Sequence, residues 1–333
     1  MTRALQLCPG GEFIVPRHER YSEVSRQVMA VLRDFSPVVE QASIDEAYLE
    51  ATGLEGLFGP VQALGEAMKR AVFERTGLTC SVGFAPVKFL AKIASDLQKP
   101  DGLSILYPEQ IPAFLRKLPV ARIPGVGERT LASLRALGVS MAGDVSCYPA
   151  DFWERRLGKV GLMIWERSQG IDRAVVEPYL APKSEGAEDT LLTDTRDREV
   201  LNAWLLRQAE EVGARSRKHK AHGRTVTLKV KFSDFRQITR SRTLPVSTAS
   251  TRVIYETAAA LLDKLDLPLP VRLIGLSLSG FVWGAEEQQL ALPGLGAETP
   301  AVCNDRESHD RALDEAIDEI RARFGKDAVL RGM

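Results

Sequence analysis

Cysteine is scarce in this chain: 333 residues hold four, at Cys8, Cys80, Cys147 and Cys303. They are widely spaced and form no C-x-x-C pair, which excludes a ribbon-type zinc site and a disulfide framework and points to reduced thiols in a cytoplasmic protein. Histidine is equally sparse, with four residues and no metal-ligand spacing. His219 and His222 fall inside a basic run and read as solvated surface. No apolar run approaches the ~20 residues that span a bilayer, and the N-terminus lacks the apolar stretch of a secretory signal. Net charge is missing too, because 44 basic and 44 acidic residues cancel.

That cancellation is an average over two unlike regions. Between Gly213 and Arg242 the charged residues are Arg215, Arg217, Lys218, Lys220, Arg224, Lys229, Lys231, Arg236, Arg240 and Arg242, with Asp234 the sole acid. Beyond Gly284 acids gather, among them Glu286, Glu287, Asp314, Glu315, Asp318 and Glu319. A locally basic face beside an acidic tail suits binding to a phosphate backbone.

The periodicities predict an α+β chain. An amphipathic helix is expected over His18–Phe35, a strand, tight bend and strand over Val38–Thr52, and a helix opened by Pro60. Strand Thr79–Ala85 and helix Lys88–Leu97 follow, the interleaving suggesting one sheet with helices on one face. Pro108 to Gly170 reads as helical, and Val175 to Gly186 as a linker. After it come helix Asp197–Arg217, strands Thr225–Phe232 and Gln237–Leu244, helix Ser250–Leu265 and strand Val271–Phe281. Gly284 to Asn304 reads as a loop and Asp305–Phe324 as a polar helix, with no internal repeat.

Four local patterns carry chemistry. Asp45 and Glu46 are adjacent carboxylates at a strand start, flanked by Val38-Val39 and Tyr48-Leu49. Charge held against a sheet core needs compensation, and a hard divalent cation such as Mg²⁺ supplies it. Alone, the pair fits a solvated strand end better than a metal site. In Pro124-Gly125-Val126-Gly127, a glycine-rich turn precedes a helix, so backbone N–H groups face outward where a phosphate binds; a plain helix–helix turn is the alternative. Lys88 and Lys92 share a helix face that is either solvated or functional. Lys229 and Lys231 alternate with Val230 and Phe232, and Arg240 and Arg242 repeat the device on the next strand. Together they are expected to form one basic face for a duplex backbone, unless they merely protect an edge.

In sequence order these segments resemble the Y-family translesion DNA polymerases, nearest the DNA polymerase IV branch. Ser43-Ile44-Asp45-Glu46 is similar to the family's catalytic palm motif and Cys80–Ala85 to the strand that follows it. Lys88–Asp96 and Lys99–Gly102 are similar to its nucleotide-facing helix and loop, Ile123–Gly127 to its thumb hairpin, and Ser233–Phe235 with Thr239–Arg242 to its little-finger strands. The resemblance implies a right-hand polymerase: fingers remnant and palm over 1–107, a helical thumb over 108–176, a linker over 177–184, an α+β little finger over 185–281 and a tail over 282–333. It implies Asp45 and Glu46 as metal ligands for two Mg²⁺ ions, Lys99 as the triphosphate lysine, and Gly125, Gly127, Lys229, Lys231, Arg240 and Arg242 as DNA contacts. Gln289, Leu290 and Leu292 are similar to a sliding-clamp peptide, although Pro293 stands where an aromatic is expected. Partners would be primer-template DNA and deoxynucleoside triphosphates, met by a monomer in an SOS-type, mutagenic response.

One departure stands beside the match. Family members open with a strand bearing another metal-binding Asp, an aromatic steric gate and a Tyr-x-x-Arg clamp, whereas Ala4–Pro9 already resembles the end of the fingers. Either the start lies upstream or the chain is shorter than its relatives. As it stands it is expected to have little or no activity, which keeps open a non-catalytic primer-template binder. A nuclease using the same hairpin fits less well, because no further acidic cluster is present.

Overall fold

A computed structural model describes residues 2–178, 181–283, 305–325 and 328–329. The chain divides into two compact units, Met1–Leu180 and Ala181–Met333.

The first unit begins with α1 (Thr2–Leu7), α2 (His18–Phe35), β1 (Val39–Gln41), β2 (Ala47–Leu49), α3 (Glu55–Phe58) and α4 (Val61–Thr76). In α4 the buried Leu64, Met68 and Val72 recur every fourth residue, the spacing of one helical face, which packs on α2. Strand β3 (Val82–Phe84), α5 (Lys88–Leu97) and β4 (Leu103–Ile105) form a compact parallel crossover, Gly83 pairing with Ser104. A Cβ on Gly83 would lie 2.2 Å from Ser95 N and 2.3 Å from Ala91 O, so only glycine lets the strand lie this close to α5.

The single sheet expected here is two separate two-stranded ladders among the described residues, β1–β2 antiparallel and β3–β4 parallel. The strands are three residues each, too short to organise a wide sheet. Helical packing takes over that role. Phe89, Leu90, Ile93 and Ala94 of α5 are buried in one core with residues of the helices that follow, including Leu115, Val120, Leu134, Trp153 and Ile164. Those helices are α6 (Ile111–Lys117), α7 (Glu128–Ala136), α8 (Ala142–Val145), α9 (Ala150–Leu157) and α10 (Lys159–Ser168), with Val120 in the 3-10 turn Val120–Arg122 between α6 and α7. Trp153 is fully buried and its indole donates to Val145 O at 2.9 Å, which satisfies its one polar group.

The second unit is a sheet under helices. Its elements are β5 (Ser184–Thr195), α11 (Arg198–Lys218), β6 (Ala221–Phe232), β7 (Gln237–Thr248), α12 (Thr251–Asp263), β8 (Val271–Trp283) and α13 (Asp305–Phe324). The strands run in the order β5-β8-β6-β7, all antiparallel. Leu205, Ala209 and Val212 of α11 and Ile254, Ala258 and Leu262 of α12 pack on Val226, Leu228, Val230, Ile274, Leu276 and Leu278, closing one face.

Two features of this unit differ from the sequence reading. Strand β5 starts in residues read as linker and continues through a stretch assigned no element, because Gly186, Glu188 and Asp189 interrupt any apolar alternation. It holds through its pairing with β8, from Ser184↔Ser279 onward, and through Gln208 Nε2, which donates to Asp189 at 2.9 Å. Secondly, part of the basic run is internal. Arg217 Nε binds Asp318 at 2.7 Å and Arg217 Nη1 binds the buried Asp314 at 3.1 Å, while Arg252 holds Asp310 at 2.7 Å. The acidic helix α13 is thus docked on the basic helices. Asp314 also accepts from Thr251 N at 3.0 Å, and so caps α12 where the N-cap residue Ser250 makes no side-chain bond.

Candidate carboxylate site and nucleic-acid interface

Asp45 and Glu46 occupy the bend between β1 and β2. Ser43 Oγ donates to Asp45 Oδ1 at 2.6 Å and accepts from Glu46 N at 3.0 Å, while Ser43 N donates to Glu46 O at 3.1 Å. Both carboxylates are exposed, which corrects the expectation that they press against a sheet core. A two-stranded ladder has no second layer to bury its turn, so desolvation supplies no argument for a metal here.

What the fold supplies is a neighbouring cation. Lys92 Nζ lies 2.5 and 2.6 Å from the two oxygens of Glu46. Hydrogen bonding to Glu46 holds the Lys92 ammonium above the ordinary lysine range, against the pull of partial burial. One turn earlier, Lys88 Nζ binds Glu40 at 2.6 Å and sits 4.7 Å over the Tyr48 ring. The helix face left open between solvated and functional is therefore committed to carboxylates on the facing hairpin.

Glu40 is the functional-looking residue that sequence reasoning missed. Its side chain is 9% exposed and also accepts from Glu177 N at 2.9 Å, and Lys88 donates in turn to Val175 O at 3.3 Å. The signal available was an acid directly after the apolar pair Val38-Val39. Burial pushes the Glu40 carboxyl up, but the Glu177 N–H and the Lys88 ammonium outweigh it and hold the group below the usual carboxylate range. A depressed folded-state pKa contributes stability above the unfolded value of about 4.3 and loses it as pH falls through the lower folded value. Denaturant unfolding of the wild type is therefore expected to weaken with acid below about pH 4.3, and Glu40→Gln to flatten that limb. An unchanged acid limb in the variant would show that other carboxyls set it.

Lys99 follows α5 and pairs with Asp96 at 2.5 Å, so its described contact is local and does not reach the hairpin carboxylates. The loop around it is held from α4 by Lys69, which binds Asp101 Oδ1 at 2.6 Å. Gly125 has a φ of +87°, which requires glycine in practice, and Gly127 caps α7 in extended conformation. Arg167 of α10 steadies this turn, its Nη1 donating to Pro124 O at 2.6 Å.

The register of the second unit splits the expected basic face. Lys231 pairs with Gln237, Lys229 with Thr239, Leu228 with Arg240 and Val226 with Arg242. Directly paired residues share a face, so odd-numbered residues meet odd and even meet even. Lys229 and Lys231 lie on the open face with Thr225, Thr227, Ser277 and Ser279, whereas Arg240 and Arg242 share the helix-covered side with Val226 and Leu228. The arginines are still exposed, because β7 is the edge strand. Lys229 reaches across side-chain-free Gly275 to bind Glu188 at 2.6 Å. Gln289, Leu290 and Leu292 lie outside the described residues.

Among the described residues no three His, Cys, Asp or Glu side chains converge as a metal cage, and no helix is long and apolar enough to cross a membrane. The two exposed carboxylates fit one hard cation that completes its shell with water and substrate phosphate. The ammonium of Lys92, held by both Glu46 oxygens, stands where such a cation is attracted.

An acidic hairpin, a glycine-rich hairpin ahead of a helix and a separate basic sheet define a protein built to handle a polyanion. The impB/mucB/samB family matches residues 1–96, the helix-hairpin-helix motif of that family residues 108–139, and its C-terminal domain residues 182–292. DNA polymerase IV of Methanoculleus marisnigri is 42% identical over 288 residues, covering 86% of this chain and 80% of that protein. DNA polymerase IV of Alkaliphilus oremlandii is 36% identical, covering 99% of this chain and 83% of the relative. Among solved structures, a Dbh–Dpo4 chimera of Y-family DNA polymerases matches with a TM-score of 0.76 at 28% identity, over 85% of this chain and 82% of that one. An insertion ternary complex of Dbh DNA polymerase matches with a TM-score of 0.56 at 27% identity, over 85% and 82% respectively. The chain belongs to the impB/mucB/samB family, the Y-family of DNA polymerases.

Proposed function

We propose that the protein is a template-directed DNA polymerase of the translesion type, which adds deoxynucleotides to a primer opposite damaged bases. The observation that carries the reading is the Asp45–Glu46 hairpin joined by Lys92 to the helix that packs in the core of the hairpin-bearing helices. Such an arrangement brings negative charge for a metal and a backbone grip for DNA into one unit.

Asp45 and Glu46 would hold Mg²⁺, which neutralises phosphate charge and stabilises the attacking and leaving oxygens when bound. A second ion would draw most of its ligands from the substrates. Lys99 would meet the triphosphate after leaving Asp96, and the N–H groups of the Gly125–Gly127 turn would hold duplex phosphates. Lys229, Lys231, Arg240 and Arg242 would add backbone contacts that carry no sequence information, as a polymerase indifferent to sequence requires. A monomer acting in the cytoplasm, with the 289–292 segment on a sliding clamp, completes the proposal. The three domains and their linker follow the boundaries given for the resemblance.

Primer extension on an intact and a lesion-bearing template is the test, run with the 333-residue chain and with the chain extended upstream in frame. Extension past the lesion that stops on chelation of Mg²⁺ is the expected result from at least one form. A second reading, a non-catalytic primer-template binder, is favoured by the neutralisation of Glu46 by Lys92. Tight primer-template binding without extension in either form selects it.

A further inference from the structure

We infer that Arg167 and Asp172 are positioning residues that make the glycine-rich hairpin and helix α5 move as one body. The inference rests on the reading of that hairpin as a DNA grip. Arg167 Nη1 donates to Pro124 O at 2.6 Å, which fixes the carbonyl immediately before the left-handed Gly125. Its guanidinium lies 5.3 Å over the Phe89 ring and its Nη2 is 3.8 Å from Asp172 Oδ2. Asp172 Oδ2 in turn accepts from Phe89 N at 3.0 Å, while its Oδ1 accepts from Ala174 N at 3.1 Å.

Helix α5 opens at Val87, whose side chain cannot cap it, so Asp172 supplies the missing acceptor and places a negative charge at the helix N-terminus. Both side chains are largely buried, at 19% and 8% exposed, so the link is not loosened by water as a surface pair is. From α5 the chain of contacts continues through Lys92 to Glu46 and through Lys88 to Glu40. A displacement of Pro124 is therefore transmitted through two side chains to the helix whose lysines hold the acidic hairpin. Packing alone does not specify this: the apolar contacts of Phe89 tolerate sliding, whereas two hydrogen bonds of fixed direction joined by the Arg167–Asp172 ion pair do not.

Hydrogen–deuterium exchange with and without primer-template DNA tests the link without requiring catalysis. In the wild type, DNA is expected to slow exchange by about fivefold or more in peptides covering 123–130 and also in those covering 86–95. In Arg167→Met and Asp172→Asn the first protection is expected to persist and the second to disappear. Asp172→Asn keeps the side-chain volume and one acceptor oxygen for either Phe89 N or Ala174 N, so it carries the comparison if Arg167→Met does not give a cooperative melt. Arg167→Lys, which keeps the charge but not the fork, is expected to recover part of the 86–95 protection. In a form that extends primers, the maximal incorporation rate is expected to fall about tenfold in Arg167→Met with primer-template affinity retained. Equal protection of 86–95 in wild type and both variants overturns the inference, as does protection of 123–130 without 86–95 in the wild type. Absence of DNA protection at 123–130 in the wild type refutes instead the DNA-grip reading on which it rests.

Discussion

Asp45→Ala and Glu46→Ala are each expected to lower primer extension by at least ~100-fold, in whichever form of the chain extends a primer. Phosphoryl transfer leaves the protein little covalent chemistry, so charge placement at the reacting oxygens accounts for most of the rate. The hairpin offers two hard oxygen donors on adjacent residues, held in place by Ser43 and by Lys92. On the proposed assignment, loss of either removes a metal ligand, and loss of Glu46 also takes the carboxylate partner from Lys92. Folding should be untouched, since both side chains are exposed and neither supports the core. Primer-template affinity should stay within about twofold, because a carboxylate without its metal repels phosphate and its loss cannot weaken backbone contacts. Unimpaired extension by Asp45→Ala would place the metal site elsewhere. A joint loss of extension and DNA binding would indicate a folding defect.

How much of this was legible in the sequence depends on the range of the interaction. The bend at Ser43–Glu46, the helix Lys88–Leu97 and the glycine-rich turn ahead of α7 follow from local patterns, and each stands where its residues place it. Partners separated by dozens of residues were not legible. Lys88 and Lys92 stayed open between a solvated and a functional face because nothing local to α5 names Glu40 or Glu46 as their counter-charges. Arg217 read as part of a nucleic-acid surface because its partners Asp314 and Asp318 come from the far end of the chain. Strand β5 failed for a related reason, its acids and Gly186 hiding a segment that is extended only because β8 pairs with it. The basic strands show the limit most clearly. Alternation within each strand was visible, but which residues share a face is set by the turn between them. That turn closes with Phe232 N donating to Arg236 O at 2.9 Å and pairs Lys231 with Gln237, sending lysines and arginines to opposite faces.

That split sets the last expectation, which concerns DNA affinity and its salt dependence. Lys229→Glu with Lys231→Glu, and separately Arg240→Glu with Arg242→Glu, are each expected to shallow the slope of log affinity against log salt by up to about two. Affinity near physiological salt should drop by tenfold or more, roughly in line with the contacts removed and the repulsion added. The arginine pair should have the larger effect. Lys229 already shares its charge with Glu188 at 2.6 Å, whereas no carboxylate pairs with Arg240 or Arg242 among the described ion pairs. Both pairs are expected to act, because β7 is an edge strand and a backbone passing along that edge lies within reach of side chains from either face. Losses that add in the quadruple variant indicate such an edge-on path. A loss confined to the lysines places the duplex on the open, hydroxyl-lined face of the sheet, and one confined to the arginines places it on the helix side. If neither pair changes affinity or slope, DNA does not approach this strand and the contacts assigned to the second unit are wrong.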